Sequence, residues 1–460
     1  MSRTLADFAK SCGGTLKGAD RAYTGVSTDT RTLKTGELFV ALRGPRFNAN
    51  DFVAAAASAG AAGAVVDTPV ASSLAQIVVA DTQNALSSSA GAWRARFSMP
   101  VVGVAGSNGK TTVKEMTAAI LERAGTTLAT RGNLNNHIGV PLTLHRLDST
   151  QRFAVIEIGA NRAGEVAELV KLARPDVGLI TNAGAEHLEG FGSLEGVARA
   201  EGEMVAGLSP LATAVINADD EFAALWRGMA RGKVSTFGVA NAADFSAADI
   251  HTAIDPTGFV TRFELRAPAG ATPVELRLAG GHNVLNALCA AAAATAAGAS
   301  LDEVRSGLAT MRPVPGRLQL KTAPSGAWIV DDSYNANPSS MKAGIEVLAS
   351  VDARRWLVMG DMGELGNFAD ASHEDIGRFA REHHIDRLFA TGKLSVLAVE
   401  AFGPGGEWFA DTETLARAVN AELTREVCVL VKGSRSNRLE RVVEALVGAG
   451  SSDSSSNIAH

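Results

Sequence analysis

The stretch VVGVAGSNGKTTVKEM, residues 101–116, is an apolar run that ends in glycines and continues into a helical pattern. A continuous apolar run predicts a strand buried on both faces, as in parallel sheets covered by helices. Apolar residues recur at helical spacing from Val113 to Leu121, which predicts a helix directly after the glycines. The stretch therefore constrains the chain to an α/β fold.

The same alternation of strand and helix divides the chain into three predicted domains. Residues 1–96 form a small α/β domain, with short strands at LFVAL, GAVVD and QIVVA and helices over 51–60 and TQNALSSSAGAWRARF. Residues 97–312 are predicted to form a doubly wound parallel sheet. After the linker MRPVPGR, residues 313–448 are predicted to form a Rossmann-like α/β domain. The Ser-rich tail, 449–460, is predicted to be disordered.

Composition narrows the classes of partner and compartment. The net charge of −6 argues against a sequence-independent nucleic-acid binder, which needs a basic face. The three cysteines are far apart and odd in number, which indicates a reducing compartment. The N-terminal segment lacks the apolar core of a signal peptide, and the longest apolar run is too short to cross a bilayer. We expect a cytoplasmic protein with no nucleic-acid partner and no membrane insertion.

The segment GSNGKTT resembles a phosphate-binding loop. A glycine-rich turn between a strand and a helix N-terminus directs backbone N–H groups at an anion. Lys110 would reach the β- and γ-phosphates, and the Thr111 hydroxyl would bind Mg²⁺. The strict pattern requires glycine where Val104 stands, so a simple strand–helix turn is the alternative. The predicted nucleotide-binding residues here are Gly106, Ser107, Asn108, Gly109, Lys110, Thr111 and Thr112.

Polar residues at other strand ends of the central domain are further candidates, because ligands lie outside the carboxyl ends of parallel strands. Glu157 interrupts an apolar strand and is either a Mg²⁺ ligand or a salt-bridged buried acid. His187 follows the strand VGLITNA and is either functional or an ordinary loop histidine. The amide-rich GNLNNHIGVPL, which includes Asn136, fits a binding loop or turn chemistry alone.

Two segments of the third domain have the same character. DDSYNANPSSM places acidic and amide groups between a strand and a helix, which a capped helix start would also explain. KGSRSNRLE places Lys432 and Arg435 at a strand-to-helix turn. Such a pair suits a carboxylate or phosphate, although a solvated charged turn is equally compatible.

Together these motifs resemble the Mur ligase superfamily, in order and over most of the chain. The resemblance rests on GSNGKTT, GNLNNHIGVPL, EIGANRAGEV, HLEGFGSLEGVA, GGHNVLNALCAAAAA, PGRLQL, DDSYNANPSSM, VMGDMGELG and VKGSRSNRLE. HLEGFGS and DDSYNANP are typical of the last ligase of the series. The superfamily's shorter phosphate loop also accounts for Val104.

The resemblance implies an activity. ATP would phosphorylate the terminal carboxylate of a UDP-linked muramoyl tripeptide, and the amine of D-alanyl-D-alanine would attack the acyl phosphate. Lys110 and Mg²⁺ would offset the repulsion between phosphate and carboxylate.

The resemblance also assigns roles to individual residues. Thr111 and Glu157 would hold metal, with His187 near a second ion. Asn283 and Asn286 would lie near adenine, and Arg317 and Asp332 would reach phosphate and ribose. Tyr334, Asn335 and Asn337 would lie near the peptide end. Lys432, Arg435 and Asn136, read from the residues above, are further candidates for substrate binding. Ser27, Thr28 and Arg31 of the first domain would hold the UDP-sugar. NANDF stands where the family has a different loop, so UDP-sugar contacts there are not expected.

Glu201 marks a departure from the family. Several members carry a carbamylated lysine at this position, and its carbamate binds Mg²⁺. Here the segment is VARAEGEM, and we expect Glu201 to supply the metal-facing carboxylate directly. A solvated helix glutamate is the alternative.

Two rival functions remain open at this stage. A folylpolyglutamate synthetase-like ligase would share the phosphate loop and Glu157 but not DDSYNANP. A nucleotide-dependent switch would turn over nucleotide without regard to D-alanyl-D-alanine. The expected assembly is a monomer that uses ATP and Mg²⁺.

Overall fold

The computed structural model of the chain describes residues 3–44, 47–184, 188–255 and 258–448. Three α/β domains follow one another, each built on its own parallel or mostly parallel sheet. The fold class predicted from the sequence is confirmed. The domain boundaries at 96/97 and 312/313 stay predictions, and the tail lies outside the described residues.

The first domain contains a five-stranded sheet of order β1-β7-β6-β3-β2, in which only β1 is antiparallel to its neighbour. The strands of that sheet are β1 (Thr15–Lys17), β2 (Val26–Ser27), β3 (Leu38–Val40), β6 (Gly63–Val66) and β7 (Gln76–Val78). Two further strands of the domain, β4 (Arg43–Gly44) and β5 (Phe47–Asn48), form a separate antiparallel pair. Its helices are α1 (Leu5–Cys12), α2 (Val53–Ser58) and α3 (Thr82–Arg94).

The predicted helix over 51–60 is shorter and divided. A 3₁₀ turn, Ala49–Phe52, precedes α2, and the Asn48 side chain caps that turn by accepting from Asn50 N–H. The three strands predicted for this domain are confirmed as β3, β6 and β7.

The central domain contains a six-stranded, fully parallel sheet of order β13-β12-β11-β8-β10-β9. Its strands are β8 (Val101–Ala105), β9 (Thr127–Ala129), β10 (Phe153–Glu157), β11 (Val177–Ile180), β12 (Thr213–Asn217) and β13 (Lys233–Phe237). Its helices are α4 (Lys110–Ala124), α5 (Gly139–Leu144), α6 (Glu165–Ala173), α7 (Leu188–Phe191), α8 (Leu194–Ala206), α9 (Ala223–Met229), α10 (Gly281–Ala296) and α11 (Leu301–Ala309).

Strand β8 is buried on both faces, as its apolar sequence predicts. Val102 and Val104 pack with α4 and the alanine-rich α10, whereas Val101 and Ala105 face the core on the other side. Fully burying each such valine is worth roughly 1.5–3 kcal/mol. Since β10 and β11 flank β8, their carboxyl ends meet the loop that follows β8.

A three-stranded antiparallel sheet is inserted between β13 and α10, and the sequence did not predict it. It consists of β14 (Ser246–Asp255), β15 (Gly258–Ala267) and β16 (Gly270–Leu276). No residue of its outer strand β14 is fully buried, whereas Phe263 and Leu265 of β15 pack into the central core.

The third domain contains a six-stranded sheet of order β17-β18-β22-β19-β20-β21, with only β17 antiparallel. Its strands are β17 (Gln319–Thr322), β18 (Trp328–Asp332), β19 (Arg354–Met359), β20 (Arg387–Thr391), β21 (Gly406–Phe409) and β22 (Val427–Lys432). Its helices are α12 (Pro338–Ala349), α13 (Ala369–Glu382), α14 (Ser395–Phe402), α15 (Thr412–Glu422) and α16 (Glu440–Val447). None of the helices in the described parts of the chain is both long and apolar enough to cross a bilayer.

Candidate active site between the central and third domains

A cavity of about 480 Å³ lies between the carboxyl edges of the central and third sheets. Most of the residues predicted for nucleotide and substrate binding line it. They are Ser107, Asn108, Gly109, Lys110, Thr111, Thr112, Glu157, Asn283, Asn286, Arg317, Asp332, Tyr334, Asn335, Asn337 and Lys432. Side chains far apart in sequence therefore converge on one space.

The phosphate loop needs two of its glycines. Gly106 and Gly109 have positive φ angles of 119° and 84°, which side chains rarely adopt. A Cβ on Gly109 would also lie 2.5 Å from Asn286 Oδ1, and one on Gly106 would lie 2.1 Å from Thr181 Oγ1. The loop therefore lies close to both α10 and the end of β11.

Lys110 begins helix α4 directly after this loop. Its ammonium donates to the carbonyl oxygens of Gly106 and, at 2.9 Å, Ser107. The cation therefore lies over the loop, at the helix end where an anion is favoured.

Glu157 ends β10 and is almost completely buried. Its Oε1 accepts from Asn135 Nδ2 at 2.9 Å and lies 3.4 Å from the Thr111 hydroxyl. Its Oε2 is buried and has no hydrogen-bond partner within the described chain. The Lys114 ammonium lies 3.9 Å from Oε2. A hard cation would find both oxygens and the Thr111 hydroxyl together.

The structure places Lys114, which sequence reasoning missed, one helical turn beyond Lys110. Its side chain is fully buried. The ammonium donates to the carbonyl oxygen of Thr130 at 2.9 Å and pairs with Glu115 at 2.7 Å. A lysine inside a helical pattern is usually solvated, so only its neighbour on β10 identifies it.

The two predicted adenine-side asparagines lie on α10 and are buried. Asn286 Nδ2 donates to Asn283 Oδ1 at 3.1 Å, and Asn283 Nδ2 donates to Ala279 O at 2.8 Å. His282 beside them lines the same cavity, and sequence reasoning missed it. Burial, with a smaller effect of the Lys432 charge, lowers the pKa of His282 to about 4, so its imidazole is neutral at pH 7.

The third domain contributes an ion pair. Lys432 Nζ lies 2.7 Å from Asp332 Oδ2 and donates to Asn335 O at 3.0 Å. Burial raises the pKa of the Asp332 carboxyl, while the Lys432 charge opposes that shift. Lys432, predicted to receive a substrate anion, therefore already neutralises an acid of its own domain.

The ring of Tyr334 lies near the guanidinium groups of two predicted site residues, Arg317 and Arg435. The Arg317 guanidinium carbon lies 4.6 Å from the centre of the Tyr334 ring, and that of Arg435 lies 5.9 Å from it. Arg317 also reaches the central domain, with Nη2 3.4 Å from Thr111 Oγ1. Arg435 is two-thirds exposed and lies outside the cavity lining.

Glu201 lies on α8 and is buried, but it does not line the cavity. Its Oε2 accepts from the backbone N–H of Gly106 at 2.7 Å. The carboxylate that was predicted to face the metal is thus hydrogen-bonded to the backbone of the phosphate loop. His187 lies outside the described residues.

The remaining predicted residues lie away from this cavity. Ser27 and Thr28 are half-buried in the first domain, and the exposed Arg31 pairs with Asp29 at 2.6 Å. Asn136 is exposed and lies just before α5, where its Oδ1 accepts from Ile138 N–H and Gly139 N–H. In the described residues, no cluster of three or more His, Cys, Asp or Glu side chains forms a metal site.

Comparison with known families identifies the class of protein. The model of the Mur ligase middle domain matches residues 104–294, and that of the Mur ligase glutamate ligase domain matches residues 316–435. Together with the fold and the phosphate loop, these matches show that the chain belongs to the Mur ligase family.

Individual proteins that are similar to this chain over most of its length belong to one type of Mur ligase. The UDP-N-acetylmuramoyl-tripeptide–D-alanyl-D-alanine ligase of Escherichia coli K12 is 44% identical over 97% of this chain and 98% of its own length. A crystal structure of MurF from Acinetobacter baumannii is 34% identical, with a TM-score of 0.91 over 97% of this chain and 99% of that one. MurF from Thermotoga maritima in complex with ADP is 28% identical, with a TM-score of 0.81 over 92% and 96%.

Proposed function

We propose that this chain uses ATP and Mg²⁺ to join D-alanyl-D-alanine to UDP-N-acetylmuramoyl-tripeptide. The product is the UDP-linked pentapeptide used in peptidoglycan synthesis. One observation carries the proposal: the phosphate loop, Glu157 and the Asp332–Lys432 pair face one cavity between two domains. A nucleotide and an activated carboxylate can share that space.

The nucleotide would lie across the two domains. Lys110 and the N-terminus of α4 would bind its β- and γ-phosphates, and Asn283 and Asn286 would contact the adenine. Arg317 and Asp332 would approach it from the third domain. The use of an adenine nucleotide is supported by the ADP complex of the Thermotoga relative.

Mg²⁺ fits the residues beside the loop. The buried Oε2 of Glu157 lacks a hydrogen-bond partner within the described chain, and the Thr111 hydroxyl lies close to Oε1. Mg²⁺ takes few protein ligands and completes its shell with phosphate and water oxygens. Thr111 and Glu157 would hold it, with Glu201 and His187 as further candidates. A bound Mg²⁺ would neutralise phosphate charge and orient the γ-phosphate.

The chemistry requires two displacements. An oxygen of the tripeptide carboxylate attacks the γ-phosphorus, and the bond to ADP breaks. The amine of D-alanyl-D-alanine then attacks the acyl carbon, phosphate leaves, and the amine gives up its proton. Lys110 offsets the repulsion between the two anions in the first step, because a cation in a cavity shielded from water acts more strongly than in bulk solvent.

The other substrate groups would occupy the flanking domains. Ser27, Thr28 and Arg31 would contact the UDP-sugar, with Asn136 between that domain and the cavity. Tyr334, Asn335, Asn337, Lys432 and Arg435 would surround the peptide end. The enzyme would work as a cytoplasmic monomer.

Phosphate release tests the proposal. The enzyme is supplied with ATP and Mg²⁺, and the muramoyl tripeptide and D-alanyl-D-alanine are added singly and together. Release only with both substrates, with a pentapeptide product by mass, supports the ligase. Release that ignores the dipeptide would indicate a nucleotide-dependent switch, and no release would indicate a different acyl acceptor.

A further inference from the structure

Three side chains from two domains form a closed ring of hydrogen bonds at the edge of the cavity. Asn108 of the phosphate loop donates from Nδ2 to Ser339 Oγ at 2.9 Å. Ser339 donates to Asn337 Oδ1 at 3.1 Å, and Asn337 Nδ2 donates back to Asn108 Oδ1 at 2.8 Å. Two of these three bonds, both made by Asn108, join the central domain to the third domain. The bond between Ser339 and Asn337 lies within the third domain.

The main chain of Asn108 is fixed to the central sheet. Its N–H donates to Asn182 Oδ1 at 3.0 Å, and its carbonyl oxygen accepts from Thr181 Oγ1 at 2.7 Å. Both partners follow β11. The side chain of Asn108 thus extends from a rigid loop of the central domain to the third domain.

The other side of the ring is fixed to the third sheet. Asn337 is the N-cap of α12, and its Oδ1 accepts from Ser340 N–H at 2.9 Å. Lys432, at the end of β22, donates to the carbonyl oxygen of Asn335, which lies two residues before Asn337. A movement of the third domain must therefore either carry the ring with it or break it.

We propose that Ser339 is a positioning residue of the ligase: its hydroxyl closes the ring that sets the third domain against the phosphate loop. Ser339 would act through Asn108, so that nucleotide affinity depends on the position of α12. This inference rests on the proposed function for its role in turnover, but the contact itself needs no substrate.

Ser339 is the member of the ring that can be removed most selectively. Its side chain is exposed, and the cap of α12 by Asn337 does not depend on it. Ser339→Ala would leave Asn108 Nδ2 and Asn337 Oδ1 without their shared partner. Ser339→Thr keeps the hydroxyl and should restore the ring.

A matched control removes a helix-start hydroxyl elsewhere. Ser300 caps α11 in a capping box with Glu303, outside the cavity. Ser300→Ala should lower the melting temperature, because such caps contribute roughly 1 kcal/mol. Ser300→Ala should not change the position of the third domain relative to the phosphate loop.

The test combines small-angle X-ray scattering with calorimetric titration of ADP and Mg²⁺. Ser339→Ala is expected to raise the radius of gyration of the free enzyme and to weaken ADP binding roughly five- to tenfold, as for one lost hydrogen bond. Ser339→Thr and Ser300→Ala should match the parent enzyme in both measurements.

The proposal is overturned if Ser339→Ala keeps the parent radius of gyration and binds ADP within twofold of the parent. It is also overturned if Ser339→Thr is as impaired as the alanine variant. Neither readout needs ligase turnover. A failed ligase assay with an intact Ser339 effect would therefore count against the proposed function alone.

Discussion

The carboxylate of Glu201 on α8 accepts a hydrogen bond from the backbone N–H of Gly106, with Oε2 and N 2.7 Å apart. An acid that interrupts a helix face is thereby joined to the first glycine of the phosphate loop. The family resemblance implies a longer lysine at this position, carbamylated in several members. The shorter side chain reaches the loop backbone itself.

One substitution, Glu201→Gln, separates the charge of Glu201 from its hydrogen bond. Glu201→Gln keeps an oxygen that can accept from Gly106 but removes the negative charge. We expect turnover to fall roughly tenfold and the Mg²⁺ concentration for half-maximal rate to rise, because the negative charge beside the phosphate loop is lost. Steady-state rates over a Mg²⁺ series measure both. Unchanged kinetics at limiting Mg²⁺ would rule out a metal-facing role.

Gly109→Ala is expected to abolish detectable nucleotide binding while the protein stays folded. The new Cβ would meet Asn286 Oδ1 at 2.5 Å, on a backbone with φ of 84°. Titration with ADP and Mg²⁺ measures the loss. Gly228→Ala, on α9 with open space around it, is the control and should bind normally. Normal ADP affinity in Gly109→Ala would show that the loop can move away from α10.

Lys114→Met is expected to destabilise the fold by roughly 3–5 kcal/mol, because Glu157 would be left as a buried, uncompensated charge. Adding Glu157→Gln should recover part of that loss, since the double variant has no unpaired buried charge at this site; the side chain of Glu115, the other partner of Lys114, is 44% exposed. Denaturant unfolding of the two single variants and the double variant gives the coupling energy. Strictly additive losses would mean that Lys114 and Glu157, 3.9 Å apart, do not interact.

Acid sensitivity should involve His145, whose ring is buried against Phe8 and lies 3.1 Å from Ser89 Oγ. Burial lowers the pKa of His145 to about 3 from the model-compound value of 6.5. The unfolded chain therefore takes up a proton below pH 6.5 that the folded chain excludes. Stability should fall as pH drops from 6.5 towards 3, by at most roughly 1.4 kcal/mol per pH unit from this group.

His145→Gln removes that titration and keeps a partner for Ser89. Its melting temperature should decline less steeply than that of the parent between pH 6.5 and 4.5, although it starts lower at pH 7. Parallel declines in the two proteins would contradict the assignment to His145.

The sequence specified the parts of the fold that depend on local pattern. Strands such as β8 and β22 are uninterrupted apolar runs, so their burial between helices followed directly. The order of strands did not follow, because the pairing of β8 with β10 rather than β9 depends on contacts distant in sequence. The antiparallel strand β14 was missed because its sequence, SAADIHTAID, lacks a regular alternation of apolar and polar residues.

The residues of the candidate site also fall into two groups, those with a local signal in the sequence and those without one. The phosphate loop and Glu157 have local signals, a glycine-rich turn and an acid in an apolar strand. Lys114, His282 and Ser339 have none, because each acquires its role from a neighbour on another element. Asn337 stays a predicted residue of the peptide end, and its bond to Asn108 in the phosphate loop had no signal in the sequence.

In the proposed reaction, ATP activates the tripeptide carboxylate by direct phosphorylation. This step is tested most directly with muramoyl tripeptide labelled with ¹⁸O in its terminal carboxylate, supplied with ATP, Mg²⁺ and D-alanyl-D-alanine. Mass spectrometry of the released phosphate should find the label transferred once per pentapeptide formed, because the carboxylate oxygen leaves with the phosphoryl group. Unlabelled phosphate alongside pentapeptide would contradict the acyl-phosphate route.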